Sequence, residues 1–171
     1  MASCNTLAFF FHFFLADEPV LEEGSSMGYY KFGNMEYFVS CVYKKTSSGG
    51  SSSLVSKIAF RNGNSACSTR GMYFCKPDSE VKRNTVQSML DQSYTDWLTN
   101  KIFWIAAICY TNATCMWNED GTMANVDTVT NYGTDPQSCV AVDRGNNFQW
   151  ITNQCDASNC YICERNVTDS T

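Results

Sequence analysis

The alternation of apolar and polar positions is clearest toward the C-terminal end. Val140 to Val142 and Phe148 to Trp150 are β-branched and aromatic runs separated by Asp143-Arg144-Gly145-Asn146-Asn147, all turn residues, so the pattern predicts a hairpin. Tyr161-Ile162 predicts a last short strand ending on Cys163. Phe103 to Ile108 is an unbroken apolar run of strand length, as expected of a strand covered on both faces. From Gly28 to Tyr43, the residues Tyr29, Tyr30, Phe32, Tyr37, Phe38, Val39 and Val42 predict one or two strands with a turn at Gly33-Asn34. Thr46 to Ser53 reads as a loop whose last serines cap a helix from Leu54, because Val55, Ile58, Ala59 and Ala66 lie near one stripe, and Cys67 would end it. Gly71, a short strand at Met72-Tyr73-Phe74 and a cap at Asp78 or Ser79 then lead into a second helix with Val81, Val86, Met89 and Leu90 as its inner face.

A chain of 171 residues is long enough for one core and sets a prior of one domain. Its 12 basic and 17 acidic residues leave a net charge of -5, which excludes the broad basic face of a nucleic-acid binder. Met1 to Ala16 reads as a secretory signal: Leu7 to Leu15 is nearly all apolar, too short to cross a bilayer, and is followed at once by Asp17, Glu18 and Pro19. The expected organisation is therefore a signal peptide over 1–16, a domain over 28–165 and a short tail over 166–171, with no later window apolar enough to span a membrane.

Ten cysteines in a chain with no metal-binding pattern point to an oxidising, extracellular setting. Loss of the leader removes Cys4 and leaves nine, so one is expected to be unpaired or to link two chains as a disulfide-bonded dimer. Cys109 and Cys115 flank a polar turn and suit a local bridge across a hairpin end. His12, in the leader, is the only histidine, which leaves a serine or cysteine nucleophile without an imidazole base. Two cysteine chemistries are weaker alternatives. A redox pair at Cys160 and Cys163 would need a helix N-terminus to stabilise its thiolate, and zinc on Cys155, Cys160 and Cys163 would need a fourth ligand. Asn112 and Asn166 begin glycosylation sequons.

One constellation is more specific than any of these. Cys139-Val140, then Trp150 five residues before Cys155, then Tyr161-Ile162-Cys163 is similar, in order and spacing, to the C-terminal signature of C-type lectin-like domains. Trp117-Asn118-Glu119-Asp120-Gly121-Thr122 resembles the turn that leads into the family's long loop, and Phe103 to Ile108 sits where the family has its core strand, with Ala106-Ala107 replacing glycine-leucine. Cys41-Val42-Tyr43 is similar to the cysteine-tyrosine step that opens these domains. The resemblance runs from about Gly28 to Glu164. It implies an α+β fold, with two helices packed on short antiparallel sheets, a long loop and disulfide staples.

The resemblance also implies pairings of Cys67 with Cys163 and of Cys139 with Cys155. The partner that longer members place shortly before Cys41 is missing, which makes Cys41 the first candidate for the odd thiol and leaves Cys75 and Cys160 free to bond each other. Sugar-binding members hold calcium with a proline-centred triplet and with an asparagine-aspartate pair after the strand tryptophan. Here the triplet reads Asp135-Pro136-Gln137 and the pair reads Ile151-Thr152. Calcium takes about six to eight oxygens and favours carboxylates, and isoleucine offers no side-chain oxygen. Asp135, Gln137, Thr152 and Asn153, helped by Asp127, make at most a degenerate calcium site. The expectation is a secreted lectin-like module with no cofactor, binding an extracellular protein or glycan through Asp120 to Ser138, at Asp135, Pro136, Gln137, Thr152 and Asn153. A calcium-dependent lectin is the alternative. Trp104, Trp117 and Trp150 are expected to be core.

Overall fold

The computed structural model describes residues 22–23, 28–45, 51–54, 56–92, 101–110, 114–125 and 137–167. In chain order the strands before the first helix are β1 (Glu22–Glu23), β2 (Tyr29–Phe32), β3 (Met35–Val39), β4 (Val42–Lys45) and β5 (Ser51–Leu54). Helix α1 (Gly63–Ser68), β6 (Tyr73–Phe74) and α2 (Glu80–Gln92) follow, then β7 (Ile102–Tyr110), β8 (Cys115–Trp117), β9 (Gln137–Asp143), β10 (Gln149–Asn153) and β11 (Cys160–Asn166). The main sheet runs β1-β2-β3-β11-β7-β9-β10, with β6 against β11 and β8 against β7, while β4 and β5 form a separate hairpin.

β11 is the hub. Its residues 162–166 pair antiparallel with β3, Cys160 and Tyr161 pair with Phe103 and Trp104 of β7, and Cys163 and Glu164 pair with β6. With both edges occupied, Cys160 to Glu164 is buried throughout, and the strand runs three residues past Cys163 instead of ending there. The contact with β7 is parallel, so the sheet is mixed and not purely antiparallel. Trp104 is fully buried under β11, its indole N–H donates to the Ile58 carbonyl at 2.9 Å, and the Phe60 ring meets it edge-on at 5.7 Å. Ala106 and Ala107 lie where β7 slips register against β9, and their small side chains admit the Cys75 carbonyl and the Asn118 amide, both at 2.8 Å from Ala106.

Of the helix expected from Leu54 to Cys67, only the last part forms. Ser51–Leu54 pairs with Val42–Lys45 as a hairpin, and helical backbone begins only at Phe60. Tertiary contacts override the helical spacing of Ile58 and Ala59: the amides of Ile58 and Phe60 donate to the carbonyls of Asn159 and Cys155, each at 2.9 Å, which fixes this stretch as an extended strap. Val55 lies outside the described residues. Gly63 then opens α1 directly beneath the Phe74 ring, which leaves no room for a Cβ. Gly71, at φ +65°, turns the chain into β6.

In α2, Val86, Met89 and Leu90 are buried as the stripe predicts, but Val81 is 75% exposed. One turn before Val86 the inner position belongs to Lys82, whose ammonium lies 3.2 Å from Glu164 of β11 and 3.3 Å from Asp78. A cation in the first turn of a helix opposes the macrodipole, and these two carboxylates offset that cost.

Four disulfides join Cys41 to Cys160, Cys67 to Cys163, Cys109 to Cys115 and Cys139 to Cys155. Cys41 is therefore not the odd thiol, and Cys160 does not bond Cys75. The pairing of Val39 with Ile162 carries Cys41 alongside Cys160, with the two Cα atoms 5.8 Å apart. Cys75 is the free cysteine among the described residues. It is 0% exposed, and its thiol donates to Glu164 Oε2 at 3.6 Å. Burial and the neighbouring Glu164 carboxylate push this thiol well above its ordinary value. A buried, protonated thiol cannot link two folded chains. Cys75 should resist iodoacetamide in the native protein and react stoichiometrically in denaturant, as read by mass spectrometry. Native labelling would show that this end of the sheet opens.

Candidate binding surface

Of the residues singled out for ligand binding, the described ones, Gln137, Thr152 and Asn153, lie at the open end of the β9-β10 hairpin. β9 enters there at Gln137, and β10 leaves through Thr152 and Asn153, paired with Val140 and Cys139. The Cys139–Cys155 bond, with Cα atoms 5.0 Å apart, clamps the two strands at this end. Gln137 is exposed beside Tyr110 and Asn153 is half-buried, but Thr152 is only 2% exposed and turned into the fold. Asp127, Asp135 and Pro136 lie outside the described residues, as does Asn112. Asn166, at the end of β11, is exposed.

The donor set on β10 does not suit calcium. Ile151 and Thr152 are both buried, and the Asn153 side-chain oxygen accepts the Gln154 amide at 2.8 Å, so this strand offers no carboxylate and the amide oxygen nearest the open end is engaged. Asp120, the acid at the base of the long loop, is also committed. Its carboxylate takes the Lys76 ammonium at 2.5 Å, the Thr122 hydroxyl at 2.7 Å and the Thr122 amide at 3.0 Å. These bonds, the lysine's first, hold its pKa well below the carboxylate range. Asp120 is thus a structural brace: the Trp117 amide donates to the Thr122 carbonyl at 2.8 Å across the same turn, and the Ala124 amide returns to the Cys115 carbonyl. Among the described residues, no three His, Cys, Asp or Glu side chains come together in a way that could hold a metal ion.

The cysteine alternatives fail on connectivity. Cys155, Cys160 and Cys163 are all oxidised to distant partners, which removes both the redox pair and the zinc set.

Trp104 and Trp117 are core, whereas Trp150 is half-buried. Its ring stands edge-on to Trp117 at 6.1 Å and forms part of the wall of a cleft between α2 and the closed end of the hairpin. Sequence reading missed that cleft. Its signal is the polar stripe Glu80, Asn84 and Gln87 at helical spacing, flanking the buried stripe of Val86 and Leu90 on α2.

No family model matches the sequence, and no curated protein matches it. Solved structures do match in shape. The mouse scavenger receptor C-type lectin carbohydrate-recognition domain superposes with a TM-score of 0.61 at 17% identity, covering 85% of this chain and 100% of that one. Human lithostathine gives 0.59 at 14% identity over 82% of this chain and 98% of its own. The Ca2+-independent C-type lectin SPL-2 from Saxidomus purpuratus gives 0.59 at 13%, over 84% and 95%. At these identities the likeness establishes the fold, and together with the hub strand and its staples it identifies the chain as a divergent example of the C-type lectin-like fold.

Proposed function

We propose that the chain is an extracellular binding module that recognises a protein or glycan through the segment from Asp120 to Ser138, without calcium and without enzymatic chemistry. The observation that carries this reading is the donor set beside Trp150, where an isoleucine and a buried threonine stand in place of calcium-ligating side chains. The ordered base of the loop, braced by Asp120 and clamped by Cys139–Cys155, supports it, because a loop on a stapled scaffold loses less entropy on binding. SPL-2, a Ca2+-independent C-type lectin, has a similar fold. Secretion through a leader over 1–16, a domain over 28–165 with a tail over 166–171, and glycosylation at Asn112 and Asn166 belong to the same reading.

The test is a glycan array together with a cell-surface protein display, each run in calcium and in chelator. The expected result is at least one ligand bound in both buffers and lost when Asp127, Asp135 and Gln137 are changed to alanine together. Loss of all binding in chelator, or a set of ligands that the triple substitution leaves wholly unchanged, would overturn the assignment.

A further inference from the structure

We infer that the cleft between α2 and the closed end of the β9-β10 hairpin is a second binding site, and that its ligand is an uncharged saccharide ring. This inference is independent of the long-loop reading. Phe148, the residue before β10, lies four residues from Thr152, roughly 13 Å at strand rise, so the two surfaces occupy opposite ends of the hairpin.

The cleft encloses about 440 Å³, within the range of about 300–1,000 Å³ typical of small-molecule pockets. Its floor is apolar and buried, formed by Val86 of α2 and Val142 of β9. Two half-buried aromatic residues, Phe148 and Trp150, line one side. On the opposite side, Glu80, Asn84 and Gln87 project at i, i+4 and i+7 from one face of α2, all exposed. No hydrogen bond or ion pair among the described residues occupies the carboxylate of Glu80 or the carbamoyl groups of Asn84 and Gln87. The Arg83 guanidinium, in contrast, donates to the Asn125 carbonyl at 3.3 Å and lies 6.0 Å from the Trp150 ring centroid.

A second observation points to use of this cleft. Asn147 and Phe148 both have left-handed backbone, at φ 52° and 58°. Asparagine tolerates that region, but a bulky aromatic residue there is an outlier that glycine would relieve. Asn146 Nδ2 donating to Gln149 Oε1 at 2.7 Å and the Gly145 amide donating to Asp143 at 2.8 Å hold the turn in this form. The consequence of the strain is that Phe148 sits at the cleft beside Trp150. Strain of this kind, maintained by surrounding bonds, is characteristic of binding sites.

The chemistry of the walls selects the ligand. A pyranose has an apolar C–H face suited to the aromatic side, and hydroxyls that each donate and accept. Two carbamoyl groups and a carboxylate supply both kinds of partner at the spacing of successive helical turns. The single charges of Glu80 and Arg83 are opposite, so the cleft favours no net charge on its occupant.

The full chain, held in chelator, is titrated with a panel of neutral hexoses, N-acetylhexosamines and their disaccharides, with glucuronic and sialic acids as charged comparators. Binding is read by ligand-observed NMR and tryptophan fluorescence. At least one neutral sugar is expected to bind, to weaken about tenfold or more in Asn84→Ala/Gln87→Ala, and to keep its affinity in Asp135→Ala/Gln137→Ala. The helix substitutions are on exposed positions, and an unchanged circular dichroism spectrum verifies that those variants fold. Absence of binding to every neutral sugar, a preference for the acids, or affinity lost only in the loop variant would each overturn the inference. The last result would leave the long-loop reading standing.

Discussion

Replacing Cys67 and Cys163 by alanine should cost about 3.6 kcal/mol, less than the bond would contribute alone. Taken by itself, this crosslink closes a loop of nearly a hundred residues, worth about 4.7 kcal/mol in the chain-entropy account. Cys41–Cys160 lies across the same span. With it intact, the unfolded chain already brings Cys67 and Cys163 within an effective loop of about 30 residues, and closing that smaller loop accounts for the lower figure. By symmetry Cys41→Ala/Cys160→Ala costs about the same, whereas removing both bonds costs about 8 kcal/mol, more than the two single losses combined. Each pair variant should lower the melting temperature by roughly 7–15 °C, and the four-cysteine variant should be unfolded or nearly so at 37 °C. Calorimetry on the three proteins decides it. Strictly additive losses would mean that the two bonds do not restrain a common stretch of unfolded chain.

Lys82→Met should cost about 3 kcal/mol at pH 8 and distinctly less at pH 5. The ammonium is the counter-charge for Glu164, a carboxylate 7% exposed between β6 and β3, with the Cys75 thiol on its other oxygen. Burial raises the Glu164 pKa above 4.5, and the pull of Lys82 and the Lys76 amide only partly offsets this. For Lys82, burial works downward but is outweighed by Glu164 and Asp78, so it sits above 10.5. The signs follow from linkage. A carboxyl whose folded pKa is raised binds protons more readily in the folded chain, so its contribution declines as pH climbs past 4.5 through the folded value. The lysine's contribution holds below 10.5 and is lost above its folded value. Without the ammonium the carboxylate is stranded at pH 8 but can take up a proton at pH 5, which is why the loss shrinks. Urea unfolding at the two pH values measures this, and Lys82→Met/Glu164→Gln should recover most of it. An equal loss at both pH values would rule out the charge as its cause.

What could be read from the sequence was what local chemistry and spacing encode. The β9-β10 hairpin follows from two β-prone runs around a turn-rich stretch, β7 from an uninterrupted apolar run, and Cys67–Cys163 and Cys139–Cys155 coincide with the family pattern. What escaped depends on contacts distant in the chain. Ser51 to Leu54 has little β-propensity of its own and becomes a strand only because β4 is beside it. Ile58 has helical spacing, but its backbone is claimed by Asn159, a hundred residues on. The Cys41–Cys160 bond depends on the register of β3 against β11, which no local pattern states. Lys82 on the inner face of α2 looks like an error until Glu164 is placed opposite. The sequence did carry the absence of a calcium-ligating pair after Trp150, because that is a matter of residue type. It did not show that Thr152 is buried and that Asn153 is already hydrogen-bonded.

Thermal unfolding in millimolar calcium and in chelator tests the central claim most directly. An ion held only by the folded chain at a hundred times its dissociation constant adds about 2.7 kcal/mol, a shift of several degrees in a domain of this size. The two melting temperatures should coincide. A clear rise in calcium, abolished by Asp135→Ala, would mean that the long loop completes an ion site after all, and the calcium-free account of this fold would be wrong.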